Sequence, residues 1–233
     1  MRGVLCEKPL ALGSGDMAKI CSLMDRLEDQ GRGLWINYTR DWDTALAALS
    51  GEIASGAWGR FLAVTGRYNK GLGNNGGHLL GLITQVLQIA PALLVPIFAQ
   101  VARMDFSTDD PSIDAVLRAP DNCLVHLIST DATSYHHFEI DFFLEKGIVS
   151  VEDSGYRIVT RSAEDSPRHP GYREVGSRQE RSGGLAGAMA NAFASIASEL
   201  TLGAPGVSQA RRMVQVEALV TTIRDFAQKK QGK

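Results

Sequence analysis

The chain has 233 residues, enough for one large domain or two modest ones. Its 44% hydrophobic and 21% charged content is ordinary for a globular protein, and a net charge of -2 removes the electrostatic case for nucleic acid or an anionic membrane. The three cysteines, Cys6, Cys21 and Cys123, are odd in number and far apart, which argues against a disulfide framework or a zinc knuckle and predicts reduced core thiols.

Gly3 to Cys6 is a short apolar run that ends at Glu7-Lys8-Pro9, the pattern of a buried strand leading into a loop. Arg2 precedes that run and Glu7-Lys8 closes it, so it does not read as a signal peptide. A helix is predicted over 15–30, with Ile20, Leu23, Met24 and Leu27 on one apolar face and Ser14 or Asp16 as cap. A strand over 34–36 ends in Asn37-Tyr38-Thr39-Arg40, and a helix follows over 44–55. Asn37-Tyr38-Thr39 matches a glycosylation sequon by chance in a chain expected to be cytoplasmic.

From residue 60 the pattern changes. A strand over 60–69 runs into Gly71-Leu72-Gly73-Asn74-Asn75-Gly76-Gly77, and a helix carrying His78 near its start extends to about residue 89. The apolar run over 79–99 is broken by Gln85, Gln88, Pro91 and Pro96, so it reads as a buried helix followed by a strand, not a membrane span. Strands are predicted over 95–105, 113–119, 123–130, 137–144, 148–152 and 156–161. Turn signals at Ala119-Pro120-Asp121-Asn122 and Lys146-Gly147 imply an antiparallel meander. Residues 164–184, rich in Pro, Arg and Gly, read as a loop, and helices over 185–202 and 208–229 close the chain.

Several motifs could carry chemistry. Gly13-x-Gly15-x-x-Ala18 looks like a dinucleotide fingerprint, but the loop from Lys8 to Leu12 separates it from its strand, so it reads as a turn and cap. Lys8 is either a functional cation at a strand end or a surface lysine. His78 is either a general base, since an imidazole near neutral pKa can take a hydroxyl proton, or a partly buried structural histidine. Tyr68, Asn69 and Lys70 either hydrogen-bond a polyol or sugar or are the solvated end of a strand. His136 and His137 are adjacent, hence on opposite faces of an extended segment, and do not make a metal pair.

Glu7-Lys8-Pro9, the strand ending Asn37-Tyr38-Thr39-Arg40, and the glycine-rich turn before His78 together resemble the Gfo/Idh/MocA family of sugar and polyol dehydrogenases. The resemblance implies an α+β fold: a remnant of a Rossmann unit over 1–40, then a substrate and oligomerisation domain over 41–233. That second domain would be a large mixed, mostly antiparallel sheet with helices on one face. It implies catalytic roles for Lys8 and His78. It implies cofactor contacts from Glu7, Lys8, Pro9, Asn37 and Arg40, and substrate contacts from Tyr68, Asn69, Lys70 and Asn74. NAD or NADP is the expected cofactor. Many members carry an Asp where this chain has Asn74 and another where it has Gly81, so His78 lacks two carboxylates that would orient it.

The glycine-rich pyrophosphate turn and the ribose-reading acid have no counterpart in these residues, so the chain is expected to be truncated and to bind the cofactor poorly or not at all. Two functions follow as expectations: an NAD(P)-dependent oxidoreductase of a sugar, polyol or nucleotide-sugar, or a non-catalytic dimeric sugar-binding or scaffold relative. A homodimer or larger is expected through the open sheet face, which would otherwise leave apolar surface in water.

Overall fold

The computed structural model describes residues 2–10 and 14–231. It is an α+β protein with two sheets. The first is a parallel pair, β1 (Gly3–Cys6) and β2 (Gly33–Ile36), joined by helix α1 (Ser14–Asp29). The stripe that α1 turns inward is Met17, Ile20, Met24 and Leu27, spaced by three and four residues; Leu23 is 41% exposed. Cys21 is on the outer surface of α1 and Cys123 is buried, so only part of the expected core-thiol pattern is present.

Segment 206–209 occupies the outer edge of β2. Gly206 accepts from the Leu34 amide at 3.1 Å. The Gln209 carboxamide stands in for a strand neighbour, accepting from Ile36 N at 2.9 Å and donating to Ile36 O at 3.0 Å. The sheet therefore ends there by satisfying its backbone, not by exposing it.

The second sheet has nine strands: β3 (Phe61–Tyr68), β4 (Val95–Arg103), β5 (Ser112–Arg118), β6 (Leu124–Ser129), β7 (Phe138–Leu144), β8 (Gly147–Glu152), β9 (Arg157–Asp165), β10 (Arg173–Val175) and β11 (Gln179–Ser182). Their order is β10-β9-β8-β7-β3-β6-β5-β4, with β11 also paired to β9. Both predicted turns do join antiparallel neighbours, β5 to β6 and β7 to β8. The meander is interrupted between them. β3 inserts between β6 and β7, parallel to the first and antiparallel to the second.

The predicted loop over 164–184 is a second difference. β9 continues to Asp165 and takes β10 and β11 as antiparallel partners. These strands are short and largely exposed, with the sequences Arg173-Glu174-Val175 and Gln179-Glu180-Arg181-Ser182. They carry no apolar alternation, which is why a periodicity reading passes over them.

Helices α2 (Thr44–Ala54), α3 (Gly77–Leu87) and α5 (Ser208–Gln231) contribute Leu46, Leu49, Leu80, Ile83, Val216 and Ile223 to the core beside the sheet, while α4 (Ala188–Thr201) packs on the 3-10 turn at Thr39–Trp42. Gly66 in β3 is what lets α3 lie so close: a Cβ there would meet Leu79 Cδ2 at 2.5 Å. The core runs without a break from Met24, Leu34 and Ile36 through Met213, Val216 and Val220 of α5 to Val64, Ile140 and Phe142.

On the opposite face the centre of the sheet is charged. Arg67 pairs with Glu139 at 3.1 Å and Asp141 at 2.9 Å, with Phe98 and Ile128 partly exposed nearer the β4 side. The open face, expected from the resemblance to be apolar, is therefore mixed in character. No described helix is long and apolar enough to cross a membrane.

Candidate functional site

Strand β1 delivers Lys8 to the carboxyl end of the parallel pair. Beside it Glu7 Oε1 accepts from Asn37 Nδ2 at 2.8 Å, tying the ends of β1 and β2 together. The Lys8–Pro9 peptide is cis. Lys8 Nζ reaches 66 residues along the chain and donates to Asn74 Oδ1 at 2.5 Å. Burial lowers the Lys8 pKa, and Asp110, Glu7 and Glu217 oppose that shift.

Asn74 belongs to a π-helical turn, Gly71–Gly76, that leads into α3. Such turns leave backbone groups without regular partners, and Asp110 supplies them here. Its Oδ1 accepts from Gly73 N at 2.7 Å and its Oδ2 from Asn74 N at 2.8 Å, while Arg224 of α5 pairs with Oδ1 at 3.0 Å. Gly71 has φ 84, and a Cβ there would sit 2.2 Å from Asp110 Oδ2, so this position requires glycine twice over. The glycine-rich stretch is thus a clamp for Asp110 as well as a helix start.

His78 lies in the first turn of α3, with its ring edge-on to Tyr38 at a centroid distance of 4.9 Å. Its Nδ1 is buried with no hydrogen-bond partner. Burial, then Arg40 and Lys8, depress its pKa to about 3. Tyr38 is itself buried and its hydroxyl hydrogen-bonds Glu217; burial first, then that carboxylate, raise its pKa. Glu217 also accepts from Leu10 N at 2.9 Å, which fixes the loop after Lys8 to α5. Gly81 replaces no contact: a Cβ there would meet Tyr38 and Met213 at ordinary distances of 3.9 and 4.0 Å.

Lys8, Tyr38, Asn74, Asp110, Glu217 and Arg224 line one groove of about 430 Å³. Of the residues singled out from the sequence, Lys8, Pro9 and Asn74 line this groove; His78 does not line it but packs against its Tyr38 wall, and neither does Arg40. Its guanidinium lies 3.8 Å over the Phe138 ring and donates twice to Ser154 O, at 3.1 and 2.8 Å; burial lowers its pKa to about 10.

Tyr68 and Asn69 have other placements. Tyr68 is fully buried, its hydroxyl donating to Ile113 O at 2.7 Å and accepting from Ile113 N at 2.9 Å. Asn69 is buried and holds the segment before β7, donating to Tyr135 O at 2.6 Å and accepting from His137 N at 3.2 Å. Neither presents its polar group to the groove. Of Gly13-x-Gly15-x-x-Ala18, Gly13 lies outside the described residues and Gly15 is inside α1.

Asp110, Glu217 and Arg224 escaped the sequence reading, and Tyr38 entered it only as part of a strand end, because partners 36 to 207 residues apart share no local motif. Glu217 did leave one signal. It is an acid set into the apolar stripe Val216, Val220 and Ile223, and it is only 6% exposed.

No family model matches the sequence and no curated relative does. Solved structures do. A super-repressor mutant of Gal80p from Saccharomyces cerevisiae superposes with a TM-score of 0.77 at 11% identity, over 99% of this chain and 72% of that one. An NAD binding oxidoreductase from Klebsiella pneumoniae superposes with 0.77 at 11% identity, over 98% and 72%. The fold is that of the Gfo/Idh/MocA-type oxidoreductases. KijD10, a 3-ketoreductase from Actinomadura kijaniata in complex with NADP, gives 0.71 at 14% identity, over 96% and 69%. Within this fold the loop after β1, the glycine-rich turn, segment 109–110 and α5 meet at one groove.

Proposed function

We propose that this chain carries the substrate site of a nicotinamide-dependent oxidoreductase acting on a sugar, polyol or nucleotide-sugar, with Lys8 and His78 as its catalytic residues. The observation that carries the reading is the Lys8–Asn74 bond: it sets a cation from the end of β1 against the turn that opens the His78 helix. Lys8 would stabilise a substrate hydroxyl as it gives up its proton. His78, unprotonated at neutral pH, would accept that proton. Asn74 and Asp110 hold Lys8 and the turn in register.

The described residues fit the reacting end of a nicotinamide cofactor, because Glu7, Lys8 and Asn37 cluster at the carboxyl ends of parallel strands. Bound there, it would supply the hydride acceptor. The same residues offer no glycine cradle for its phosphates directly after β1, where Lys8 and Pro9 stand. The 233 residues are therefore expected to bind NADH and NADPH only in the millimolar range and to be inactive at micromolar cofactor. Titration calorimetry on the folded chain checks this. Tight saturable binding would overturn the weak-cofactor reading and return attention to Gly15 and Ala18.

A second reading has one observation in its favour. His78 Nδ1 has no partner and its pKa is depressed to about 3, so the ring is a weak base as it stands. A non-catalytic sugar-binding or scaffold relative would tolerate that. In either reading we propose a homodimer through the open sheet face, where partly exposed Phe98 and Ile128 accompany the Arg67 ladder.

A further inference from the structure

We propose that Arg40, Lys70 and His136 form a subsite for an anionic oxyacid group, a carboxylate or a phosphate, carried by the sugar or polyol itself. The inference rests on the substrate-site reading above and narrows its substrate class.

Three contacts place these groups around one segment. Lys70 follows Asn69, whose side chain grips the backbone of Tyr135 and His137, so Lys70 and His136 are held on neighbouring turns of chain. Arg40 stacks on Phe138, two residues beyond His136. Arg40 also follows Tyr38, whose ring touches His78. The arc therefore lies beside the Lys8–Asn74 groove, linked to it through Tyr38, on the side of the loop before β7.

Charge is what makes the arc unusual. None of Arg40, Lys70 and His136 has a carboxylate within ion-pairing distance among the described residues. The neighbouring acids are committed elsewhere: Glu139 to Arg67 and His137, Asp110 to Arg224, and Asp43 to the amides at the start of α2 and to Gly184. Arg40 is half-buried: Ser154 O accepts its two hydrogen bonds, the Phe138 ring lies beneath it, and Asp43 and Tyr156 favour its charge without pairing with it, while burial disfavours it more strongly. A cation in that state is costly unless a partner arrives.

The groups feel one another. Burial, then Lys70, Arg40 and His137, disfavour protonation of His136, and Arg40 and Lys8 do the same at His78. An anion in the arc would offset the repulsion among Arg40, Lys70 and His136.

Calorimetry at low ionic strength, without cofactor, tests the proposal with D-glucuronate, D-glucose 6-phosphate and D-glucose. The expected result is that one acid binds at least about tenfold tighter than glucose, that salt weakens it, and that Lys70→Asn and His136→Gln each remove most of the preference. Asn tolerates the left-handed backbone at Lys70, φ 62, so that variant is expected to fold. Which acid wins distinguishes a carboxylate from a phosphate site. Equal binding of acid and neutral sugar, no binding of either acid, or a preference that survives both variants would overturn it. The oxidoreductase reading fails separately: an acid preference with no hydride transfer sinks that reading and leaves the subsite standing, and turnover of neutral polyols without acid preference does the reverse.

Discussion

Asp110→Ala destabilises the chain by about 3 kcal/mol, the equivalent of a thermal midpoint lower by about 6–12 °C. One carboxylate takes two backbone amides, Gly73 and Asn74, and one guanidinium, Arg224. Asp110 is 19% exposed at its side chain and Arg224 28%, so the pair is neither a solvated surface bridge nor a fully buried one. An exposed ion pair is worth at most about 1 kcal/mol. Most of the cost must therefore come from the amides of the π-helical turn, which have no other acceptor once the carboxylate is gone. Asp110→Asn keeps one acceptor and is expected to lose roughly half as much. Arg224→Met alone is expected to cost about 1 kcal/mol. A loss in Asp110→Ala no larger than in Arg224→Met, read by urea denaturation, would show that the turn stands without its clamp. In that case the positioning of Asn74 and Lys8 would need another cause.

The second large effect is a pH dependence. The folded-state pKa of His78 is about 3, below the unfolded value near 6.5. Between those values the unfolded chain takes up a proton that the folded chain refuses. The contribution is fully present above about pH 6.5 and is lost as pH falls toward 3. From pH 7 to pH 4 it amounts to about 3 kcal/mol. His78→Phe keeps an aromatic ring against Tyr38 and cannot titrate. Wild type is expected to lose about 3 kcal/mol more than this variant over that range. The carboxylates that also titrate there are common to both proteins and cancel. Parallel stability curves for the two would place His78 in water and remove the physical basis for an unprotonated ring at the site. The same depression means that an anionic ligand in the Arg40 arc should raise the His78 pKa toward neutrality, improving it as a base in the bound state.

Much of the architecture was legible in the sequence because period and punctuation agreed. The β7 segment alternates strictly, Phe138-Glu139-Ile140-Asp141-Phe142, and its apolar members face the helices. Glu7-Lys8-Pro9 and the glycine-rich turn marked two of the groove's walls. What could not be read was long-range. The insertion of β3 between β6 and β7 depends on which edges are free after folding, and no local pattern encodes it. The exposed strands β10 and β11 are held by their pairing with β9, so propensity is silent about them.

The same limit applies at the site. Tyr68 and Asn69 are polar residues next to a glycine-rich turn, which from sequence suggests ligand contact. In the fold their polar groups satisfy backbone at Ile113, Tyr135 and His137. Asp110 and Glu217 do the reverse: Asp110 sits in unremarkable local sequence and Glu217 shows only as an acid in an apolar stripe, and each becomes central through partners far along the chain.

The measurement that bears most directly on the central claim is the initial rate of nicotinamide reduction at millimolar NAD or NADP over a panel of neutral and acidic sugars and polyols, for the wild type and Lys8→Met. Reduction with at least one substrate, falling at least about 100-fold in Lys8→Met while the substrate still binds, is what a proton-handling lysine held by Asn74 predicts. Saturation of the wild type with cofactor and sugar and no reduction, or full activity in Lys8→Met, would contradict it and leave the groove as a binding site without chemistry.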